Sequence, residues 1–287
     1  MRIGLHLVNF DFVGGPAAIG PAVAGVGAAV EEAGFDNLSV MDHYLQLEFM
    51  GPPTSNMIEG YTTLGFLAGC TSTVELQLLV TGITYRYPGL LGKVVSTLDV
   101  LSGGRAVLGI GAAWYDGEHR AMGVPFPPLA ERFERLEETL QIVRQMWSAD
   151  DGPYLGRHYT LEATICSPQP VRPVPIMIGG SGERKTLRLV AQYADACNLF
   201  ANAGEGPDAV AAKLDVLRRH CEEVGRDYDR IAKTILWTGD TDPVGFVEQM
   251  RPYADLGVTE VHVMHLGNEP VGLVRALAPQ VAALHDL

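Results

Sequence analysis

Residues 78–115 read LLVTGITYRYPGLLGKVVSTLDVLSGGRAVLGIGAAWY, two apolar runs ending in polar or glycine-rich tips around one helical stretch. Short β-branched and apolar runs bounded by such tips are strand signals, and Leu90 to Leu101 between them has helical spacing. The unit is strand, helix, strand. Its first strand closes on Thr81-Gly82-Ile83-Thr84 and its second on Gly109-Ile110-Gly111-Ala112-Ala113-Trp114-Tyr115. In a parallel sheet both tips lie at the carboxyl edge, where α/β proteins bind their ligands.

The same alternation runs outward in both directions. Strands are expected at Ile3–Val8, Asn37–Met41, Leu76–Thr81, Ala106–Ile110, Pro175–Gly179, Ala196–Phe200, Ile231–Trp237 and Val258–Met264. Helices are expected at 22–32, 90–101, 129–147, 184–192, 207–224, 243–256 and 271–284. Ser102-Gly103-Gly104 offers a left-handed stop after one helix, and Asp242-Pro243 an N-cap followed by proline in the first turn of another. Leu129, Phe133, Leu136, Leu140, Val143 and Trp147 recur every three or four residues, a face read as core. Eight units, and no GxGxxG turn after the first strand, favour an α/β (β/α)8 TIM barrel over a doubly wound open sheet. The 287 residues suit one such domain, since these barrels use about 250. Residues 148–174 break the repeat with several prolines and read as an insertion between strands 4 and 5, with a small hairpin near 154–161 lying over the mouth.

Composition excludes several functions. A net charge of −13 opposes nucleic acid, and no run is long enough for a membrane span. The opening residues, through Val8, read as a first strand and not a signal, because Asn9 and Asp11 interrupt them and no cleavage site follows. Cys70, Cys166, Cys197 and Cys221 lack CxxC spacing, which points to free thiols in the cytoplasm. His262 and His265, three apart on a strand, face opposite sides, so no catalytic metal is expected.

Candidate chemistry gathers at the strand tips. Asp42-His43 ends the second strand, and a histidine there is either a proton carrier with a neighbouring carboxylate or a loop residue capping a backbone group. Thr81, Gly82 and Thr84 offer main-chain groups and hydroxyls to a polar ring edge, or form a simple turn. Gly111, Ala112 and Ala113 leave room for a planar ligand, while Tyr85, Trp114 and Tyr115 shape a substrate side or pack the rim. Asp116, Glu118 and His119 read as a solvated helix start. Gly179-Gly180-Ser181-Gly182 leads into a helix and suits an anion, or is structural only. Asn198, Phe200 and His265 complete the rim.

Taken jointly, GFD…DH (Gly34 to His43), TLDVLSGGR (Thr97 to Arg105), GIGAAWY (Gly109 to Tyr115) and PIMIGGSGE (Pro175 to Glu183) resemble the luciferase-like monooxygenases, in particular their coenzyme F420 (deazaflavin)-dependent oxidoreductase branch. The resemblance implies a deazaflavin ring in the barrel mouth, its phosphate at the Gly179–Gly182 loop, hydride transfer to or from a small organic substrate, and a homodimer. It implies that His43, helped by Asp42, faces the ring. It also implies a non-proline cis peptide between Gly82 and Ile83, with Ile83 pressing on one ring face. The sugar phosphate dehydrogenases of that branch carry an acidic proton donor where this chain has Ala112, which counts against sugar phosphate oxidation. An FMN-dependent monooxygenase and a non-catalytic flavin or deazaflavin carrier are the alternatives.

Overall fold

A computed structural model describes residues 1–202 and 206–287. The chain winds through β1 (Arg2–Leu7), α1 (Pro16–Glu32), β2 (Asn37–Val40), α2 (Gly60–Cys70), β3 (Glu75–Leu78), β4 (Thr81–Gly82), α3 (Pro88–Ser102), β5 (Leu108–Gly111), α4 (Asp116–Met122) and α5 (Leu129–Met146). It continues through β6 (Tyr154–Leu155), β7 (Thr160–Leu161), β8 (Ile176–Gly179), α6 (Thr186–Tyr193), β9 (Ala196–Ala201), α7 (Gly206–Val224), β10 (Ala232–Trp237), α8 (Phe246–Asp255), β11 (Val258–His265), α9 (Pro270–Leu277) and α10 (Val281–His285).

Nine strands form one parallel sheet in the order β3-β2-β1-β11-β10-β9-β8-β5-β4. The sheet closes because β3 and β4 are two halves of one stave. Leu76 bridges Ala106 on one side of the break, and Thr81 and Gly82 pair with Ile110 and Gly111 on the other. Eight staves therefore enclose the core, as the repeat predicted. Their residues are buried almost without alternation, Asn37–Val40 completely so, which is the pattern of a sheet covered on both faces. Leu5, Leu38, Leu76 and Val263 are fully enclosed between staves and helices. α3 stops where expected: Gly103 takes φ 70°, and the Gly104 N–H returns to the Asp99 carbonyl at 2.8 Å.

Three expectations need correction. The final helix divides into α9 and α10 around a 3-10 turn, Ala278–Gln280, because Pro279 has no N–H to continue the ladder. Asp242-Pro243 forms a turn before α8 instead of its first residues, with the Asp242 carboxylate accepting from Val244 N–H at 3.1 Å. The 148–174 insertion does contain the antiparallel hairpin β6–β7, with Tyr154 opposite Leu161. It packs on the outer flank of α5, however, and none of its residues lines the mouth. The cause is Glu138, whose carboxylate collects the N–H groups of Arg157, His158 and Tyr159 at 2.8–3.1 Å and so pins the hairpin to the helix.

At the amino-terminal floor, Arg2 reaches Glu75 at 2.7 Å and Glu260 at 3.2 Å. Burial pushes the Glu260 carboxyl up to about 7 against the pull of Arg2, and burial brings the His262 imidazole down to about 3.

Candidate active site

A cavity of about 720 Å³ opens at the carboxyl ends of the staves. It is lined by Asp42, His43, Thr81, Gly82, Tyr85, Gly111, Ala112, Ala113, Trp114, Tyr115, Gly179, Gly180 and Asn198, so most of the residues singled out from sequence meet at one place. Ile83, Thr84, Ser181 and Gly182 do not line it. Leu129 and Phe133, read from sequence as core, turn to the mouth from the first turn of α5.

The break in the third stave sets the shape of one wall. The non-proline cis peptide joins Leu79 to Val80, not Gly82 to Ile83. The stave breaks directly after Leu78, and Thr81 and Gly82 have already resumed pairing with β5, so the bulge falls three residues earlier than expected. Ile83 consequently turns into the core at 2% exposure, and the Thr84 hydroxyl bonds His119 Nε2 at 2.7 Å. Val80 lines the cavity where Ile83 does not. Its methyl groups lie so close to Gly111 and Gly179 that a Cβ would come within 3.0 Å and 2.8 Å of them, while a Cβ on Gly109 would collide with the Leu78 carbonyl. These glycines make room for the bulge itself rather than directly for a planar ligand.

A buried polar network backs the adjoining wall. His43 Nδ1 lies 3.1 Å from the Glu118 carboxylate, which also accepts the Tyr85 hydroxyl and the N–H groups of Tyr44 and Leu45 at 2.6 and 2.8 Å. Glu118 is fully enclosed, and its placement corrects the solvated reading of this segment: α4 begins at Asp116 as foreseen, but Glu118 in the same first turn points inward. Burial alone would raise the Glu118 pKa. Hydrogen bonds from His43, Tyr85 and the Leu45 N–H outweigh it and hold the carboxyl below its ordinary value. Burial and the Glu118 contact both drive the Tyr85 phenol upward, so it stays protonated. Asp42 does not touch His43. Its oxygens take both guanidinium nitrogens of Arg86 at 2.7 and 2.9 Å and the Gly82 N–H at 2.8 Å, and Arg86 also reaches Glu59 at 2.5 Å. Asp42 therefore fixes the bulge, and Glu118 fixes the histidine.

The other end of the cavity is the β8–α6 turn. Gly180 has φ 113°, a conformation that side chains rarely adopt, and its N–H meets the Asn198 carbonyl at 3.0 Å. Asn198 is in turn held through Nδ2 on Thr234 at 2.8 Å. Thr186, the first residue of α6, lines the cavity, while Gly182 closes the turn by accepting Leu187 N–H. The Lys185 ammonium stands 5.3 Å from the ring centroid of Phe133, which lines the cavity.

Trp114 stacks on Tyr115 at 5.3 Å, and both present edges to His43 at 5.7 and 6.0 Å. Arg132 of α5 holds this wall from behind through the carbonyls of Ala112, at 3.1 Å, and Ala113. Sequence reading missed Val80, Arg86 and Glu118. The available signal for the last two was charge placed beside strand tips in an apolar setting, Arg86 four residues past Gly82 and Glu118 three past Tyr115.

The chain matches the family model described as luciferase-like monooxygenase over residues 1–260. An F420-dependent glucose-6-phosphate dehydrogenase of Kineococcus radiotolerans is 32% identical over 236 residues, which cover 80% of this chain and 67% of that protein. Among solved structures, an F420-dependent secondary alcohol dehydrogenase in complex with an F420-acetone adduct superposes with a TM-score of 0.84 at 15% identity, covering 99% of this chain and 98% of that one. The coenzyme F420-dependent tetrahydromethanopterin reductase from Methanopyrus kandleri gives 0.80 at 17% identity, with 98% of each chain covered.

Proposed function

Because this chain belongs to the luciferase-like monooxygenase family, we propose that it is an oxidoreductase that moves a hydride between coenzyme F420 and a small organic substrate in the barrel mouth. The observation that carries the reading is the cavity itself, bounded by the Val80 bulge at one wall, the Gly180 turn at one end and a histidine with one engaged nitrogen. The residues present fit the cofactor. A volume of about 720 Å³ falls in the range of about 300–1,000 Å³ that small-ligand sites use. Leu79 and Val80 supply an apolar face for a flat ring. The positive-φ turn at Gly180, the start of α6 and the Lys185 ammonium supply the setting for a phosphate.

When bound, the deazaflavin supplies a two-electron hydride carrier; the protein supplies place, orientation and proton handling. Val80, backed by Gly111 and Gly179, would offer its methyl groups to the ring, and Asp42 keeps the bulge in register through Gly82 N–H. Glu118 accepts from His43 Nδ1–H and thereby leaves Nε2 as the basic nitrogen, without a partner among the described residues. Nε2 takes or returns the proton at the substrate oxygen. Trp114 and Tyr115 shield that oxygen from water. Asp42 is a positioning residue in this scheme and carries no proton. We further place the protein in the cytoplasm, its four cysteines being free thiols, and as a homodimer on the family resemblance.

The test is a fluorescence titration of purified protein with F420 and with FMN, followed by oxygen uptake of the reduced holoprotein. F420 binding with negligible oxygen uptake is expected. FMN binding alone, with rapid oxygen consumption, would replace this reading by a monooxygenase.

A further inference from the structure

The mouth has a charge pattern that hydride transfer as such does not require. Among the described residues its lining includes no lysine or arginine, and its one carboxylate, Asp42, is closed by Arg86. The guanidinium groups behind the aromatic side of the mouth are committed: that of Arg86 to Asp42 and Glu59, that of Arg132 to the carbonyls of Pro127, Ala112 and Ala113 and to the Phe126 ring at 4.1 Å. Lys185 stands at the α6 side, where the cofactor phosphate is assigned. The opening is ringed instead by large apolar side chains left in water: Phe49 at 74% exposure, Trp114 at 59%, Phe200 at 56% and Leu266 at 56%. His43 lines the same cavity and is edged by two aromatic rings, Trp114 and Tyr115.

We propose that this mouth takes a neutral, largely hydrocarbon alcohol or carbonyl compound whose single oxygen reaches His43 Nε2, and that it refuses phosphorylated sugars. The proposal rests on the F420 reading, in which the cofactor fills the Gly180 end and leaves the aromatic side free. A phosphate dianion on that side would give up its hydration with no cation to replace it, which is prohibitive for an ion, and the net charge of −13 adds repulsion at long range. A hydrocarbon body gains instead. Each methylene moved from water onto these side chains tightens binding about fourfold. The apolar collar thus reads the body of the substrate, and the histidine reads its one polar atom.

The experiment loads the protein with F420 and measures binding of 2-hexanone, 2-octanone and 2-decanone, and of glucose 6-phosphate, by calorimetry and by quenching of tryptophan fluorescence, with Trp114→Phe to identify the responding ring. One-to-one binding that tightens by about fourfold per methylene, with no binding of glucose 6-phosphate, is expected. Phe200→Ser should weaken 2-decanone binding by about tenfold or more. F420 binding accompanied by glucose 6-phosphate binding, or by ketone affinity independent of chain length, would overturn the substrate class and leave the cofactor reading standing. Failure of F420 itself to bind would overturn both.

Discussion

At the floor of the barrel one guanidinium, Arg2, is divided among Glu75, Glu260 and Asp36, whereas at the mouth Arg86 closes both nitrogens on Asp42 and reaches Glu59 beside it. The outcomes differ. At the floor, burial prevails: Glu260 titrates near 7 and His262 near 3, so each favours its neutral form. At the mouth, hydrogen-bond donors converge on Glu118 and Glu59 and hold both below the ordinary glutamate value although burial opposes this. Buried charge survives where several donors meet it, and those donors cost the chain backbone N–H groups and long side chains drawn from several segments. Around the cavity that investment goes to carboxylates; beneath it the buried guanidinium of Arg105 receives it, from carbonyls at Ala68, Thr71, Val74 and Ser102.

The contrast can be broken most directly at His43. His43→Ala should lower turnover by about 10² to 10⁴ while leaving F420 affinity within a few-fold; stopped-flow turnover within threefold of the parent would remove the proton role. Asp42→Ala leaves the Arg86 guanidinium with Glu59 as its one carboxylate partner among the described residues and should cost about 3–5 kcal/mol in urea unfolding. A loss under 1 kcal/mol would mean that the mouth pair is no firmer than a surface one.

Protons sharpen the floor side. Burial holds His262 at the floor, and likewise His6 on the cavity wall, at about 3, below the usual 6.5, so the stability each contributes is complete above pH 6.5 and lost as pH falls towards 3. The slope is about 1.4 kcal/mol per pH unit for each. Glu260 has the opposite sign: raised from 4.5 to about 7, it contributes below pH 4.5 and that contribution is lost as pH rises through 7. Glu260→Gln should flatten the upper limb of unfolding free energy against pH while turnover persists, and an unchanged limb would refute the assignment. The smallest effect is expected at Gly180→Ala. A Cβ there has room, 3.6 Å from Thr186, but φ of 113° does not suit it, so about 1–2 kcal/mol of stability and some F420 affinity should be lost. Unaltered F420 titration would separate this turn from the cofactor.

The fold was legible because it is written in local terms. Each stave is a short apolar run with its own punctuation, and glycines at 103, 180, 225 and 257 stand where φ is positive. The strand tips named about half of the cavity lining for the same reason. What escaped reading was long-range. Arg86 meets Asp42 across 44 residues and Glu118 meets His43 across 75, and no local pattern announces either partner. The Asp42-His43 adjacency suggested a pair, yet neighbours on an extended chain point apart. Val80 was hidden in a continuous apolar run, where a break between β3 and β4 leaves no mark in composition. Glu118 looked solvated because a helix start with acids is usually exposed; only the return of α4 beneath Tyr85 encloses it.

Arg132 gives the aromatic wall an unusual support. The segment bearing Trp114 leaves β5 through Ala113, at φ 59°, and is tethered there by a guanidinium from α5, one layer further out. The tether grips carbonyl oxygens, which every amino acid possesses. The rings at 114 and 115 can therefore be exchanged for other shapes while the latch, and the staves behind it, go untouched.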